Sequence, residues 1–231
     1  MSIPVSADPP SAADSTPSVD SGHFHWIVAD PVPVGTALFA FALSVYGVRF
    51  VGVKATTVAQ GPVSVGLNYA VLIAAIGESV CGILAVMRGL TYKGYILSIF
   101  GIWLWGFFFL ITAGAASKTF TPDSVGWYAL LLDIPAIIMA VPAFKQRNIP
   151  LSIAFVGLIV LQFFLGLGYH EVNNAINAAV ATKHPPNFST SISLLKVSAW
   201  AGWVASAALF WLFAVEVYEA TGVIRRHESL A

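Results

Sequence analysis

Charge is what this sequence has least of. Eleven Lys and Arg and eleven Asp and Glu make up only 10% of its 231 residues, and they cancel to a formal net charge of +0. A soluble globular surface takes roughly 25% charged residues, so a water-coated domain is excluded for most of the chain. No basic block occurs, which excludes an electrostatic footprint for nucleic acid. The one cysteine, Cys81, allows no intrachain disulfide. There is no glycine-rich phosphate loop to support ATP-driven transport. The histidines lie in tails and loops, and Cys81 has no visible base, so no nucleophile–base pair stands at membrane depth and enzyme chemistry is not expected. No cofactor and no metal ion is expected either. His23 and His25 stand two apart, but no third ligand is near.

What is present is apolar length. Hydrophobic residues make up 58% of the chain. They gather in six stretches, at about 34–54, 65–87, 94–115, 125–144, 149–169 and 193–219. Each is near the roughly 20 residues that a membrane-spanning helix needs, and in hydrocarbon a backbone must satisfy its own hydrogen bonds. The expected fold is an all-α membrane protein, a bundle of six transmembrane helices compatible with packing around a central pore. Residues 30–220 would form that unit, with the lipid bilayer as its solvent.

Residues 1–29 carry Pro4, Pro9, Pro10 and Pro17, six serines, and Asp8, Asp14 and Asp20. They bury too little to offset their ordering entropy and read as a disordered cytoplasmic tail. Without Lys, Arg or an apolar core, they are not expected to be a secretory signal peptide. Residues 221–231 read as a short cytoplasmic tail. The link 170–192, with His170, Glu171, Asn173, Asn174, Pro185 and Pro186, reads as a polar, irregular loop.

An even number of spans puts both termini on one side. That side carries Arg88, Lys93, Lys145, Arg147, Arg225 and Arg226, and the other carries Lys54, Lys118 and Lys183. The bias predicts cytoplasmic termini in the cell membrane.

Small residues recur on helix faces: Ala75, Ser79 and Gly82 in the second span, and Ala199, Gly202, Ala205 and Ala208 in the sixth. Such faces let helices approach closely. Glu78 and Asp133 fall deep in the second and fourth spans. An ionised, unpaired carboxylate in hydrocarbon costs several kcal/mol, so each must be neutral, paired or facing water. Two readings stay open: proton or substrate handling, or structural pairing with Arg49 or Lys196. Gln162, Asn68 and Ser98 are polar groups suited to a pore or to a bond between helices. Glu216 is expected at the interface.

The opening of the first span, Asp30-Pro31-Val32-Pro33-Val34-Gly35-Thr36-Ala37-Leu38-Phe39, resembles the N-P-A-P-L-G-L-x-G-F signature of the acetate uptake transporter family, the succinate–acetate permeases of the YaaH type. Further features resemble that family in order: Gly82 followed by Gly89-x-Thr91, Phe100-Gly101, the run from Leu158 to Gly168, and Trp200, Gly202, Trp211 and Glu216 in the last span. Departures mark a divergent member. Asp30 replaces Asn, Glu78 replaces Gln, Ala85 stands where Glu is frequent, and Phe100 replaces Tyr.

The resemblance implies six-helix protomers that assemble as hexamers, each with its own pore. It implies transport of acetate, succinate or related small carboxylates, often with protons. It places an apolar mid-pore constriction at Phe39, Phe100 and Leu158, where a hydrated anion must shed water to pass. Packed core is the competing reading of those three residues. Pro31, Pro33, Gly35 and Thr36 fall at the substrate entrance. Proline suits a first helical turn, and the free N–H groups there favour a carboxylate; ordinary helix initiation explains the same residues. Glu78, Asp133 and Gln162 are the candidate proton or polar pore residues.

Asp30, Glu78, Asp133 and the all-apolar ring also suit a channel for small neutral or cationic solutes such as urea, amides or ammonium. A third possibility is a non-transporting membrane scaffold or sensor, with loop 170–192 binding a partner.

Overall fold

A computed structural model of the chain describes residues 30–54, 65–116 and 121–223. The expected tail 1–29, Lys118 and the basic pair Arg225 and Arg226 lie outside the described residues. Among those described, all regular structure is helical: α1 Val32–Val51, α2 Val65–Met87, α3 Thr91–Ala116, α4 Pro122–Lys145, α5 Ile149–Thr182 and α6 Ser189–Ala220. All six are long and apolar enough to cross a membrane. This is an all-α integral membrane protein, and the expected spans hold to within a few residues except at one place.

That place is 170–192, where the irregular loop is corrected. Residues 170–182 continue α5 as helix, and only 183–188 are non-helical. Polar composition suggested a loop. However, Ala175, Ala178 and Ala179 are strong helix formers, and Val172 is fully buried, which anchors the extension. His170 Nδ1 lies 2.6 Å from Asp123 Oδ1 at the start of α4. The helix stops at Lys183, in the left-handed region at φ 57, ahead of Pro185 and Pro186. At 34 residues, α5 is about 51 Å long, well beyond the ~30 Å hydrocarbon core. With α6, it projects on the side away from the termini.

The helices pack in chain order and close on themselves: each touches the next, α6 returns to α1, and α1 also touches α3. Small residues set the approach. A Cβ on Gly101 would lie 2.5 Å from Ser79 Oγ and 2.7 Å from its backbone N, so α2 and α3 are in backbone contact there. On α6, Ala199, Ala205 and Ala208 are buried as the small-residue face predicts. The α1–α6 seam is also bonded: Ser206 Oγ donates to Ala40 O at 2.7 Å, and Trp203 Nε1 donates to Ser44 O at 3.3 Å. The α3–α4 seam is the sparsest. There, Tyr128 OH donates to Trp103 O at 2.8 Å, and the two rings stack at 5.5 Å.

The outward faces carry Ile73, Val80, Ile83, Leu131, Ile134, Ile138 and Val141, all exposed. In water this apolar coat would be a liability; in lipid it is the required surface.

Candidate functional site

Side chains from α1, α3 and α5 pack together inside the bundle. Phe39 of α1 and Phe100 of α3 stack with centroids 5.1 Å apart and planes 19° from parallel. Leu158 of α5 lines, with Phe39, a void of about 10 Å³ that Phe155 also borders. That is barely the space one water needs. Phe39 thus contacts Phe100 and shares a void with Leu158, and all three are buried. Phe155, 6.3 Å from Phe100 ring to ring, is a fourth member that sequence reasoning missed. It lies three residues before Leu158, on the same face.

Toward the chain termini, a cavity of about 30 Å³ opens beside this layer, lined in part by Thr36, Phe39, Lys93, Asn148 and Glu216. It holds about two waters. Lys93 Nζ pairs with Glu216 Oε1 at 2.6 Å, so Glu216 sits at a cavity mouth and not merely at a lipid interface. The entrance residues part company. Thr36 is buried against the cavity. Pro31 caps α1, and its carbonyl accepts from Gly35 N at 3.1 Å. Pro33 lies in the first turn and does not border the cavity. Gly35 is a packing position: a Cβ there would come within 2.6 Å of Leu97 Cδ1 and 2.9 Å of Cys81 Cβ. The helix start is partly used by the chain itself, because Asp30 Oδ1 accepts from Val32 N at 3.0 Å.

Away from the termini, a second aromatic layer follows two turns on. Tyr46 packs on Phe107 at 4.9 Å and on Phe50 at 5.8 Å, and Phe50 meets the Tyr169 edge at 6.2 Å. Gln162 lies one turn past Leu158, fully buried, with neither amide atom bonded among the described residues. Arg49 enters this layer from α1. Its Nη1 donates to Asn68 Oδ1 at 3.2 Å, and its guanidinium lies over the Phe50 and Phe107 rings at 5.3 and 5.7 Å.

Structural pairing of the deep carboxylates does not form among the described residues. Glu78 is completely buried, and neither carboxyl oxygen has a partner. Asp133 is 9% exposed, with Oδ1 unbonded. Arg49 is held at Asn68, ten residues and about 15 Å along α2 from Glu78. Lys196 is exposed on α6. Arg49 and Lys196 are therefore not counter-ions to either acid. No cluster of three His, Cys, Asp or Glu suited to a metal occurs among the described residues.

No protein-family model and no curated protein sequence matches the chain. Among solved structures, the bacterial acetate channel SatP matches with a TM-score of 0.65 at 18% sequence identity, covering 84% of this chain and 94% of that one. At that identity the likeness establishes a shared six-helix fold.

Proposed function

We propose that this protein is a membrane channel for small monocarboxylates, acetate first among them and succinate as a further cargo. Phe39, Phe100 and Leu158 are the apolar constriction. The observation that carries the reading is the packing of these residues, one each from α1, α3 and α5: Phe39 stacks on Phe100, and Phe39 and Leu158 border one void of about 10 Å³. The fold shared with an acetate channel and the opening motif support the same substrate class. An apolar layer without hydroxyl groups gates by dewetting: it holds back a hydrated ion until the layer opens or the solute sheds its water.

Proton coupling falls to Glu78 and Asp133, the buried acids left without counter-ions, with Gln162 as a polar step along the axis. Thr36 and the N-terminal turn of α1 form the entrance on the cytoplasmic side, in a unit spanning residues 30–220; Pro31 and Pro33 start that turn, and Gly35 packs it against α2 and α3. The assembly is a homo-hexamer in the plasma membrane, with each protomer carrying its own path.

One observation favours a different cargo. Glu78 and Asp133 lower anion affinity and suit urea, amides or ammonium. Arg49 weighs against the cations in that group. Liposomes holding the pure protein test the choice, by uptake of labelled acetate, urea and methylammonium at mildly acidic and mildly alkaline pH. Acetate uptake that rises at low pH supports the proposal. Urea or methylammonium flux without acetate flux replaces it.

A further inference from the structure

We propose that Arg49 and Tyr46, braced by Asn68, form a second carboxylate-binding site on the side of the constriction remote from the chain termini. The inference rests on the channel reading for the identity of its ligand, a small monocarboxylate.

A guanidinium inside a membrane bundle must be compensated, because burying a charge without a partner costs several kcal/mol. Here the compensation is incomplete. Nη1 donates to Asn68, and the two flanking rings supply cation–π attraction. The Tyr169 hydroxyl is hydrogen-bonded to the guanidinium, and the Tyr46 hydroxyl lies within electrostatic reach. Among the described residues, no carboxylate stands within ion-pair distance, and the buried Nη2 has no hydrogen-bond partner. Tyr46, 2% exposed, also leaves its hydroxyl unpartnered. Residues 46 and 49 are three apart on α1, so both side chains leave one face of the helix, about 4.5 Å apart along it.

Two unused donors beside an uncompensated positive charge specify an anion with more than one acceptor oxygen. A water could bond to either donor but would leave the charge uncompensated. A carboxylate answers both, accepting from Nη2 and from the Tyr46 hydroxyl. The surrounding Phe50, Trp103 and Phe107 rings are apolar partners for a methyl group. They leave little polar surface for a larger or second carboxylate. Ammonium-type cations are repelled by Arg49 at this level. Asn68 accepts from the guanidinium, so it is a positioning residue.

The test uses the full chain in detergent and in liposomes. Thermal unfolding is followed with acetate, with acetamide as its neutral isostere, and with neither. Acetate is expected to raise the Tm of the wild type and acetamide to leave it unchanged. Arg49→Gln is expected to abolish the acetate shift, and Tyr46→Phe to weaken apparent acetate affinity about tenfold. Should Arg49→Gln not fold, Arg49→Lys keeps the charge but loses the planar fork, and affinity is again expected to fall about tenfold. An acetate shift that survives these substitutions overturns the site, as does a wild type that acetate does not shift. The channel reading is scored separately. Acetate binding through Arg49 without flux overturns the channel and leaves the site standing. Flux whose half-saturation ignores Arg49→Gln overturns the site and leaves the channel.

Discussion

The Phe39 ring lies flat against the Phe100 ring, 5.1 Å between centroids, across two helices that are not consecutive in the chain. Beside the stack, only a void of about 10 Å³ separates Phe39 from Leu158. A lattice of core side chains and a closed gate share this appearance, but they respond differently to truncation.

A phenylalanine that only fills a core costs about 3–5 kcal/mol when cut to alanine. At a gate, water from the cavity beside Thr36 can occupy the space. Phe39→Ala is therefore expected to lose less than about 3 kcal/mol of stability, to pass acetate several-fold faster and to admit bulkier carboxylates. Liposome flux and Tm measured on the same preparation check this. A large drop in Tm with unaltered flux returns Phe39 to the core.

Glu78 is sealed from water with both carboxyl oxygens unbonded. Glu78→Gln keeps the shape and removes the exchangeable acid. If Glu78 carries protons, the rise of acetate uptake at low pH flattens in this variant while uptake near neutrality persists. Asp133→Asn is the companion test for α4. A pH profile that survives both substitutions takes these acids out of the proton path.

The Lys93–Glu216 pair sits at the mouth of the terminal-side cavity. Glu216→Gln frees the ammonium to attract anions. Initial acetate uptake is expected to rise a few-fold at low ionic strength, and the gain to vanish in high salt as screening shortens the field. A gain that persists in high salt points to a change of shape instead of field.

Gly101 faces the backbone of Ser79, where a Cβ would stand 2.7 Å from the amide nitrogen. Backbone atoms cannot rotate away. Gly101→Ala is expected to cost about 1–3 kcal/mol by forcing α2 and α3 apart, read as a lowered Tm. Gly52, with open space around its added Cβ, is the control and should tolerate alanine.

The spans were legible because hydrocarbon demands unbroken apolar length, and 65–87 came out as expected to the residue. The helix at 170–182 was not, because hydropathy stops reporting once a helix leaves the membrane. Phe39, Phe100 and Leu158 could be placed together only through a family likeness; three apolar residues in an apolar chain carry no signal of their own. Phe155 had a local signal in its spacing from Leu158. Arg49 was legible as a cation within the first span, but its tie to Asn68 and its distance from Glu78 depend on how α1 and α2 meet, which no pattern within either helix reveals.

The return of α6 onto α1 also bears on how the molecule is made. Ala40 O and Ser44 O on α1 accept further bonds from Ser206 and Trp203, side chains of a span far along the chain. Until that span arrives, the first helix waits in lipid with its partner surface bare, and the ring has a gap one helix wide. Closure of the ring therefore waits for α6. A product released before Ser189 is an open trough, with the α1 face that meets α6 left to lipid.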